Sequence, residues 1–289
     1  MTSFRVEVWG VRGSIPTPGE HTVRYGGNTP CVTVDVSETE GPLIVLDAGT
    51  GIRRLGNQLL AERSADIDLL ISHTHWDHIQ GLPFFLPLFE AESRVRVWGA
   101  KQGDVDLESV LRRQMDPVVF PVPLEALDAE LAVSHLSNGE LELQQCNVKA
   151  MRVRHPGHTL AVRLYAREGT GSIAYVPDNE LGSGGDYEVG PNWRSEFVKF
   201  LEGASLLIHD AMYTPEMIDR HRGYGHSTFA EAVVLAVEAK VEKLMLFHHS
   251  PDHGDEAVDE ILERARGIAG ETGSDLDIIA GSEGMVLDI

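Results

Sequence analysis

The sequence predicts an α/β protein in which two β-sheets face each other and helices cover their outer sides. Three observations carry that expectation. Candidate strands come in two batches, each accompanied by helical segments. Several of those strands are short continuous apolar runs, the pattern of strands covered on both faces. No low-complexity linker or internal repeat divides the chain, so residues 1–289 are expected to form one domain.

Taken in order, Arg5–Trp9 and Cys31–Val36 alternate apolar and polar residues, as strands with one wet face do. Leu43–Leu46 and Leu69–Ile71 are continuous apolar runs, and Arg94–Trp98 alternates again. Later candidates are Val148–Val153, Leu160–Tyr165, Ile173–Val176, Leu206–Ile208, Lys243–Phe247, and the pair Asp277–Ala280 and Met285–Ile289. Helices are expected over Ile52–Arg63 and Asp106–Met115. Thr228 with Glu231 has the capping-box spacing, which opens a third helix running to about Ala239. Val258, Ile261, Leu262 and Ala265 form an apolar stripe at helical spacing, with Gly267 or Gly270 as the expected stop. Leu181–Gly185, reading LGSGG, is expected to be a surface loop.

The chain carries 24 basic and 45 acidic residues, a formal charge of −21. A field of that sign repels nucleic acid backbones, so long RNA or DNA is not the expected substrate. Two cysteines, Cys31 and Cys146, form neither a CxxC pair nor a disulfide framework. With no signal-peptide pattern at the N-terminus and no apolar run of membrane-spanning length, a cytoplasmic protein is expected.

The chemistry concentrates in His73-Thr74-His75-Trp76-Asp77-His78, directly after the apolar run Leu69–Ile71. Imidazole and carboxylate are ligands of zinc and other divalent metals. At a strand end, alternate side chains can diverge, so His73 and His75 could serve one ion while Asp77 and His78 serve a second. Packing is a poor explanation for four such groups in six residues, because buried unpaired polar groups cost roughly a few kcal/mol each.

This H-x-H-x-D-H pattern resembles the central motif of the metallo-β-lactamase superfamily, and the resemblance extends over nearly the whole chain. It implies a four-layer αββα sandwich with two divalent metal ions, zinc or alternatively manganese, at the open edge of the sheets. It also implies that the following segment, Ile79–Phe89, packs beneath the site. The resemblance asks for a third histidine on the first metal, either His155 or His158 in Arg154-His155-Pro156-Gly157-His158-Thr159. His155 fits the phosphodiesterase branch and is favoured; His158 fits the thioester-hydrolase branch. The bridging aspartate is expected at Asp178 and the last ligand at His248, leaving His249 and His253 as neighbours. Asp47 would orient a ligating histidine, unless it merely closes the Gly-rich turn that follows it.

Two further motifs narrow the branch. His209-Asp210-Ala211-Met212 and His226-Ser227-Thr228 resemble paired motifs of the tRNA 3′-processing nucleases. That likeness casts His226 as the general acid for the leaving alkoxide and Asp210 as its partner, which with Asp77 are the catalytic candidates. Asp in place of the family's Glu shortens the reach by a methylene. Gly10–Pro16 and Gly26–Thr29 also resemble the opening of this group, with glycines expected to approach substrate and Arg12 either to contact phosphate or simply to lie on the surface. The long Gly/Pro-rich, basic tRNA-clamping arm of those nucleases is not found in this sequence. The expected activity is therefore metal-dependent hydrolysis of a small phosphodiester, such as a cyclic nucleotide. Alternatives are an RNase Z-like endonuclease, a thioester or lactone hydrolase, and a metal-binding sensor without catalysis. A homodimer is expected only from its frequency among soluble proteins.

Overall fold

The computed structural model describes residues 4–36, 41–60, 65–167, 171–182 and 184–289. Among these, two seven-stranded mixed sheets stack face to face. The first contains β1 (Phe4–Gly10), β2 (Cys31–Val36), β3 (Leu43–Leu46), β4 (Asp66–Ile71), β5 (Arg94–Gly99), β6 (Glu130–His135) and β14 (Val286–Asp288), in the order β14-β1-β2-β3-β4-β5-β6. The second contains β7 (Gly139–Glu142), β8 (Cys146–Arg152), β9 (Leu160–Ala166), β10 (Ser172–Val176), β11 (Leu206–Asp210), β12 (Lys243–Phe247) and β13 (Asp277–Ala280), in the order β13-β12-β11-β10-β9-β8-β7. β3 to β6 pair in parallel, as do β10 to β13, and these are the strands with helices between them. The last strand pairs antiparallel with the first.

Why the sheets stack follows from their side chains. Val6, Val34, Ile44 and Leu46 from one sheet meet Val148, Leu164, Ile208 and Phe247 from the other in a single buried cluster. The outer face of the first sheet is covered by α1 (Ile52–Leu59), α3 (Leu107–Gln114) and the turns through Leu82, Phe85 and Leu88. The outer face of the second is covered by α4 (Trp193–Leu201), α5 (Phe229–Glu238) and α6 (Asp255–Glu271). The arrangement is the expected four-layer αββα sandwich, and no helix of the described residues is long and apolar enough to cross a membrane.

The Thr228 capping box forms in full: Thr228 accepts from the Glu231 amide while the Glu231 carboxylate accepts from the Thr228 amide. Asp106 likewise caps α3. Three expectations need correction. α6 does not stop at Gly267 or Gly270 but runs to Glu271. Both glycines lie on its exposed face, where each costs about 1 kcal/mol, while Ile261, Ala265 and Ala269 bury the opposite face and keep the helix going. Strands β6 and β7, each at one edge of its sheet, were not expected; neither has the burial alternation of an inner strand. α4 was also not expected, although Trp193, Phe197 and Leu201 are buried at helical spacing. Of the predicted helix Ile52–Arg63, residues 61–63 lie outside the described residues, as does Ser183 of the LGSGG loop.

Arg12 is the largest fully buried side chain, and its place overturns the expectation of a phosphate contact. Its guanidinium donates to the carbonyls of Gly26 (2.8 Å), Ser250 (3.1 Å) and His253 (2.6 Å). It thus ties the loop after β1 to the loop after β12. Asp255 and Glu283 are its nearest anions, and burial lowers its pKa from the usual arginine value. Removing it would strand three buried carbonyls. Arg12→Ala is therefore expected to cost about 3 kcal/mol in a denaturant titration, since each charged hydrogen bond contributes roughly 1.5–3 kcal/mol. A loss below about 0.5 kcal/mol, the usual range for surface changes, would contradict this role.

Candidate metal centre and acid pair

The site is built at the C-terminal ends of strands from both sheets. β4 delivers His73 and His75, and the short helix α2 (Trp76–Ile79) that follows presents Asp77 and His78 on its buried side. β8 leads to His155, β10 to Asp178, β11 ends on Asp210, and His248 follows β12. The two loops nearest the cluster are stitched together: the Ala48 amide donates to the His78 carbonyl and the Gly81 amide to the Ala48 carbonyl. Ile79, Leu82, Phe85 and Leu88 are buried below this loop against α1, while Phe84 stays exposed.

Among the described residues three sets of donor atoms converge; the first two share Asp178, and the third joins Asp210 and His226 to His248. His73, His75, His155 and Asp178 form the first; Asp77, His78, His248 and Asp178 form the second, each with its atoms within 4.8 Å of one another. In the first, His155 Nε2 lies 3.0 Å from His75 Nδ1 and 3.5 Å from Asp178 Oδ2, and His73 Nε2 lies 3.6 Å from that oxygen. In the second, Asp178 Oδ1 stands 3.1 Å from His78 Nε2 and 3.2 Å from His248 Nε2, while Asp77 Oδ2 stands 3.3 and 3.1 Å from the same two nitrogens. Each oxygen of Asp178 therefore faces one set. Ligands at about 2.1 Å from a tetrahedral ion are roughly 3.4 Å apart, so the separations are those of two cation cradles.

The chemistry of the set fits such ions. His73 Nε2, His78 Nε2 and Asp178 Oδ1 are buried without a hydrogen-bond partner, which a buried polar atom rarely tolerates. Burial lowers the pKa of His73, of His75 and of His155, the last to about 4, so these rings are neutral and carry free lone pairs. Burial opposes charge on His78, but Asp178, Asp77 and Asp47 together outweigh it and push its pKa well up. Burial likewise opposes charge on Asp77 and Asp178, yet the surrounding imidazoles hold both well below the carboxylate range. Three buried carboxylates around one ring thus create a demand for positive charge.

Supporting contacts fix which nitrogen His78 and His155 offer. Asp47 Oδ2 lies 2.8 Å from His78 Nδ1, leaving Nε2 for the centre. The same carboxylate accepts from the Ser72 amide (2.7 Å), the Ser72 hydroxyl (2.8 Å) and the Tyr175 hydroxyl (2.8 Å). Its backbone is left-handed, at φ 61°, as is that of His248 at φ 58°. Such a conformation costs a non-glycine residue on the order of 1 kcal/mol and is held here by contacts on every side. His155 Nδ1 donates to the Gly225 carbonyl at 2.8 Å, and the Ser14 amide donates to Asp77 Oδ2 at 2.7 Å. Ser72, Tyr175, Ser14 and Gly225 were not read from the sequence. Gly225 directly precedes the H-S-T motif in a Gly-Tyr-Gly triplet, and Ser14 lies within the Gly10–Pro16 motif; Ser72 and Tyr175 had no pattern to draw the eye.

His158 is not part of either set. Its amide donates to Gln102 Oε1, its carbonyl accepts from Gln102 Nε2, and it lines a cavity of about 390 Å³ on the outer side of His155. A cavity of about 820 Å³ between Thr17–Arg24 and Pro251–Ala257 contains none of the convergent residues. His249 turns away to the Gly281 carbonyl at 2.9 Å. The N-terminal glycines approach protein rather than open space. A Cβ on Gly13 would fall 2.5 Å from the His248 ring, so only glycine lets this loop close over that imidazole.

Beside the second set lies a carboxylate–imidazole pair. His226 Nδ1 is 2.8 Å from Asp210 Oδ2, so the shorter aspartate does reach. Asp210 is fully buried and also accepts from the Asn179, Ser227 and Met212 amides. The His226 ring stacks on His248 at 5.0 Å. Burial disfavours its charged form, but Asp210 wins and raises its pKa to about 9.

Facing sheets, helical outer layers and a histidine–aspartate centre at the strand ends define a metallo-hydrolase architecture. The chain belongs to the metallo-β-lactamase superfamily of hydrolases: the family model for a Beta-lactamase superfamily domain matches residues 43–249. Among similar proteins, a ribonuclease Z of Picrophilus torridus is 23% identical over 92% of both chains. A ribonuclease Z of Porphyromonas gingivalis is 23% identical over the full length of both. Solved structures with the same fold include yeast PDE1 (TM-score 0.73, 17% identity, 100% of both chains) and the short form of human tRNase Z (TM-score 0.66, 20% identity, 98% of both).

The geometry separates the two histidine candidates by experiment. His155→Ala is expected to weaken divalent-metal affinity by at least tenfold in a chelator competition, and His158→Ala to leave it unchanged. Asp47→Ala is expected to weaken it 10- to 100-fold through His78.

Proposed function

We propose that this chain, acting as one domain, hydrolyses a phosphodiester with two divalent ions, zinc by donor chemistry. His73, His75 and His155 would hold one ion, Asp77, His78 and His248 the other, with Asp178 between them. Such ions supply Lewis acidity toward a phosphoryl oxygen and a water of lowered pKa. The protein's own part is then to hold the substrate and deliver a proton.

The observation that carries this reading is the Asp210–His226 pair stacked beside the second set. An alkoxide leaving a phosphodiester is a poor leaving group and needs a proton; a thioester's thiolate does not. An imidazolium steadied by a buried carboxylate is suited to give one near neutral pH. His226 donates to the departing oxygen, and Asp210 fixes the ring so that Nε2 faces outward. The thioester-hydrolase alternative required His158 as a ligand, and His158 stands outside both donor sets.

For the substrate we favour a small phosphodiester such as a cyclic nucleotide, supported by the charge of −21. A second reading is an RNA endonuclease, favoured by the full-length similarity to proteins named ribonuclease Z. That similarity removes the case for excluding long nucleic acid on charge alone. Parallel assays with cyclic nucleotides and a precursor tRNA transcript separate the two.

The acid makes a prediction that depends on the leaving group. His226→Ala is expected to slow cleavage of an alkyl phosphodiester about 10²- to 10⁴-fold, and to slow a p-nitrophenyl ester far less, because that phenolate leaves without protonation. The pH profile follows in sign. The protonated ring is the active form, so activity falls as pH rises through the His226 pKa. Asp210 raises that pKa, so Asp210→Asn is expected to shift the alkaline limb to lower pH. Equal losses for both leaving groups, or an unmoved limb, would argue against a proton-donating role.

A further inference from the structure

Tyr224 is exposed at 60% of its surface, yet it stands on one of the most constrained loops near the centre. The residues on either side, Gly223 and Gly225, have left-handed backbones at φ 86° and 87°. Both of their amides donate to a single oxygen, Glu180 Oε2, at 2.8 and 3.1 Å. Glu180 is 1% exposed, and the same oxygen also accepts from the Tyr187 hydroxyl at 2.6 Å. Burying a carboxylate costs several kcal/mol unless its hydrogen bonds repay it. Here Oε2 takes all three bonds, two of them from the flanks of an exposed ring, while Oε1 is buried without a partner. Gly225 cannot be replaced without conflict, because a Cβ there would fall 2.2 Å from His155 Nδ1.

The clamped loop runs directly into the chemistry. His226 follows two residues later, so the two Cα atoms are within about 7 Å of each other. A chain of ring contacts joins them in space. His226 meets the edge of Tyr213 at 5.9 Å, Tyr213 stacks on His221 at 4.5 Å, and His221 meets the edge of Tyr224 at 5.6 Å. The outermost ring of this series is the exposed one. An exposed aromatic ring gains nothing for folding from being held still. It gains a great deal for binding, because a preorganised planar surface loses little entropy when a second planar group stacks on it.

We propose that Tyr224, held by the Glu180 clamp, is the stacking platform for the base of a nucleotide substrate. This rests on the phosphodiester reading and adds the residue that receives the nucleobase. Stacking is indifferent to base identity, so the platform selects for a nucleotide over a simple alkyl phosphodiester without choosing among the bases.

The test compares two probes that differ only in the base, adenosine 5′-monophosphate and ribose 5-phosphate, titrated calorimetrically into metal-loaded protein. The unmodified protein is expected to bind the nucleotide about 5- to 100-fold more tightly. Tyr224→Ala is expected to abolish that ratio while leaving ribose 5-phosphate affinity unchanged, and Tyr224→Trp to restore it. Glu180→Gln is expected to reduce the ratio with Tyr224 intact, through loss of the clamp. Equal affinity for the two probes in the unmodified protein, or a ratio that survives Tyr224→Ala, overturns the proposal. Binding of the probes is read without turnover, so a failure of phosphodiester hydrolysis itself would show separately, in the activity assay.

Discussion

The carboxylate of Asp178 is the joint on which the rest of the site depends. One oxygen faces His73, His75 and His155, and the other faces His78 and His248. These groups come from different sheets and different loops, and no backbone ladder links them. Burying two carboxylates and four imidazoles together, with His75 at the exposed edge, is unfavourable unless positive charge compensates the acids and fills the lone pairs. The stacked sheets make that burial affordable by fixing the strand ends around it. In turn, the cluster explains why two residues at those ends, Asp47 and His248, are held in left-handed backbone conformations.

Around this joint the structure is layered by function. Asp47, Ser72 and Tyr175 form a buried hydrogen-bonded group that decides which nitrogen His78 presents. Gly225 does the same for His155 through its carbonyl, and its own loop leads directly into His226. Glu180, two residues beyond Asp178, fastens that loop from behind. The histidine–aspartate cluster, the Asp210–His226 pair and the loop are therefore neighbours along one chain of hydrogen bonds and sequence. Arg12 plays a comparable part on the opposite side, tying together the loops that carry Ser14 and His248.

Much of this was legible in the sequence because the relevant signals are local. The crowding of His73 through His78 after an apolar run announces a metal site, and the inner strands announce themselves by continuous burial. The Thr228 box is a four-residue pattern that reports itself fully. Other features were hidden for physical reasons. β6 and β7 are edge strands whose half-exposed residues leave no clean period, and α6 runs through two glycines because packing on one face outweighs propensity. Tyr175 sits in an apolar strand, and nothing in its neighbours tells that its hydroxyl meets Asp47. The choice of His155 over His158 depended on resemblance, since three residues of separation cannot be resolved by spacing; Gln102, more than fifty residues upstream, is what occupies His158. Arg12 misled because an arginine in a Gly-rich loop reads as an anion contact, whereas here it meets backbone carbonyls.

The central claim is that one aspartate bridges two ions. It is tested most directly by anomalous diffraction at the metal edge from crystals of zinc-loaded protein. Two peaks are expected, each about 2.0–2.2 Å from its ligands. One belongs near His73 Nε2, His75 Nδ1, His155 Nε2 and Asp178 Oδ2, and the other near His78 Nε2, His248 Nε2, Asp77 Oδ2 and Asp178 Oδ1. A lone peak that leaves one Asp178 oxygen unengaged, or peaks away from these atoms, would contradict it.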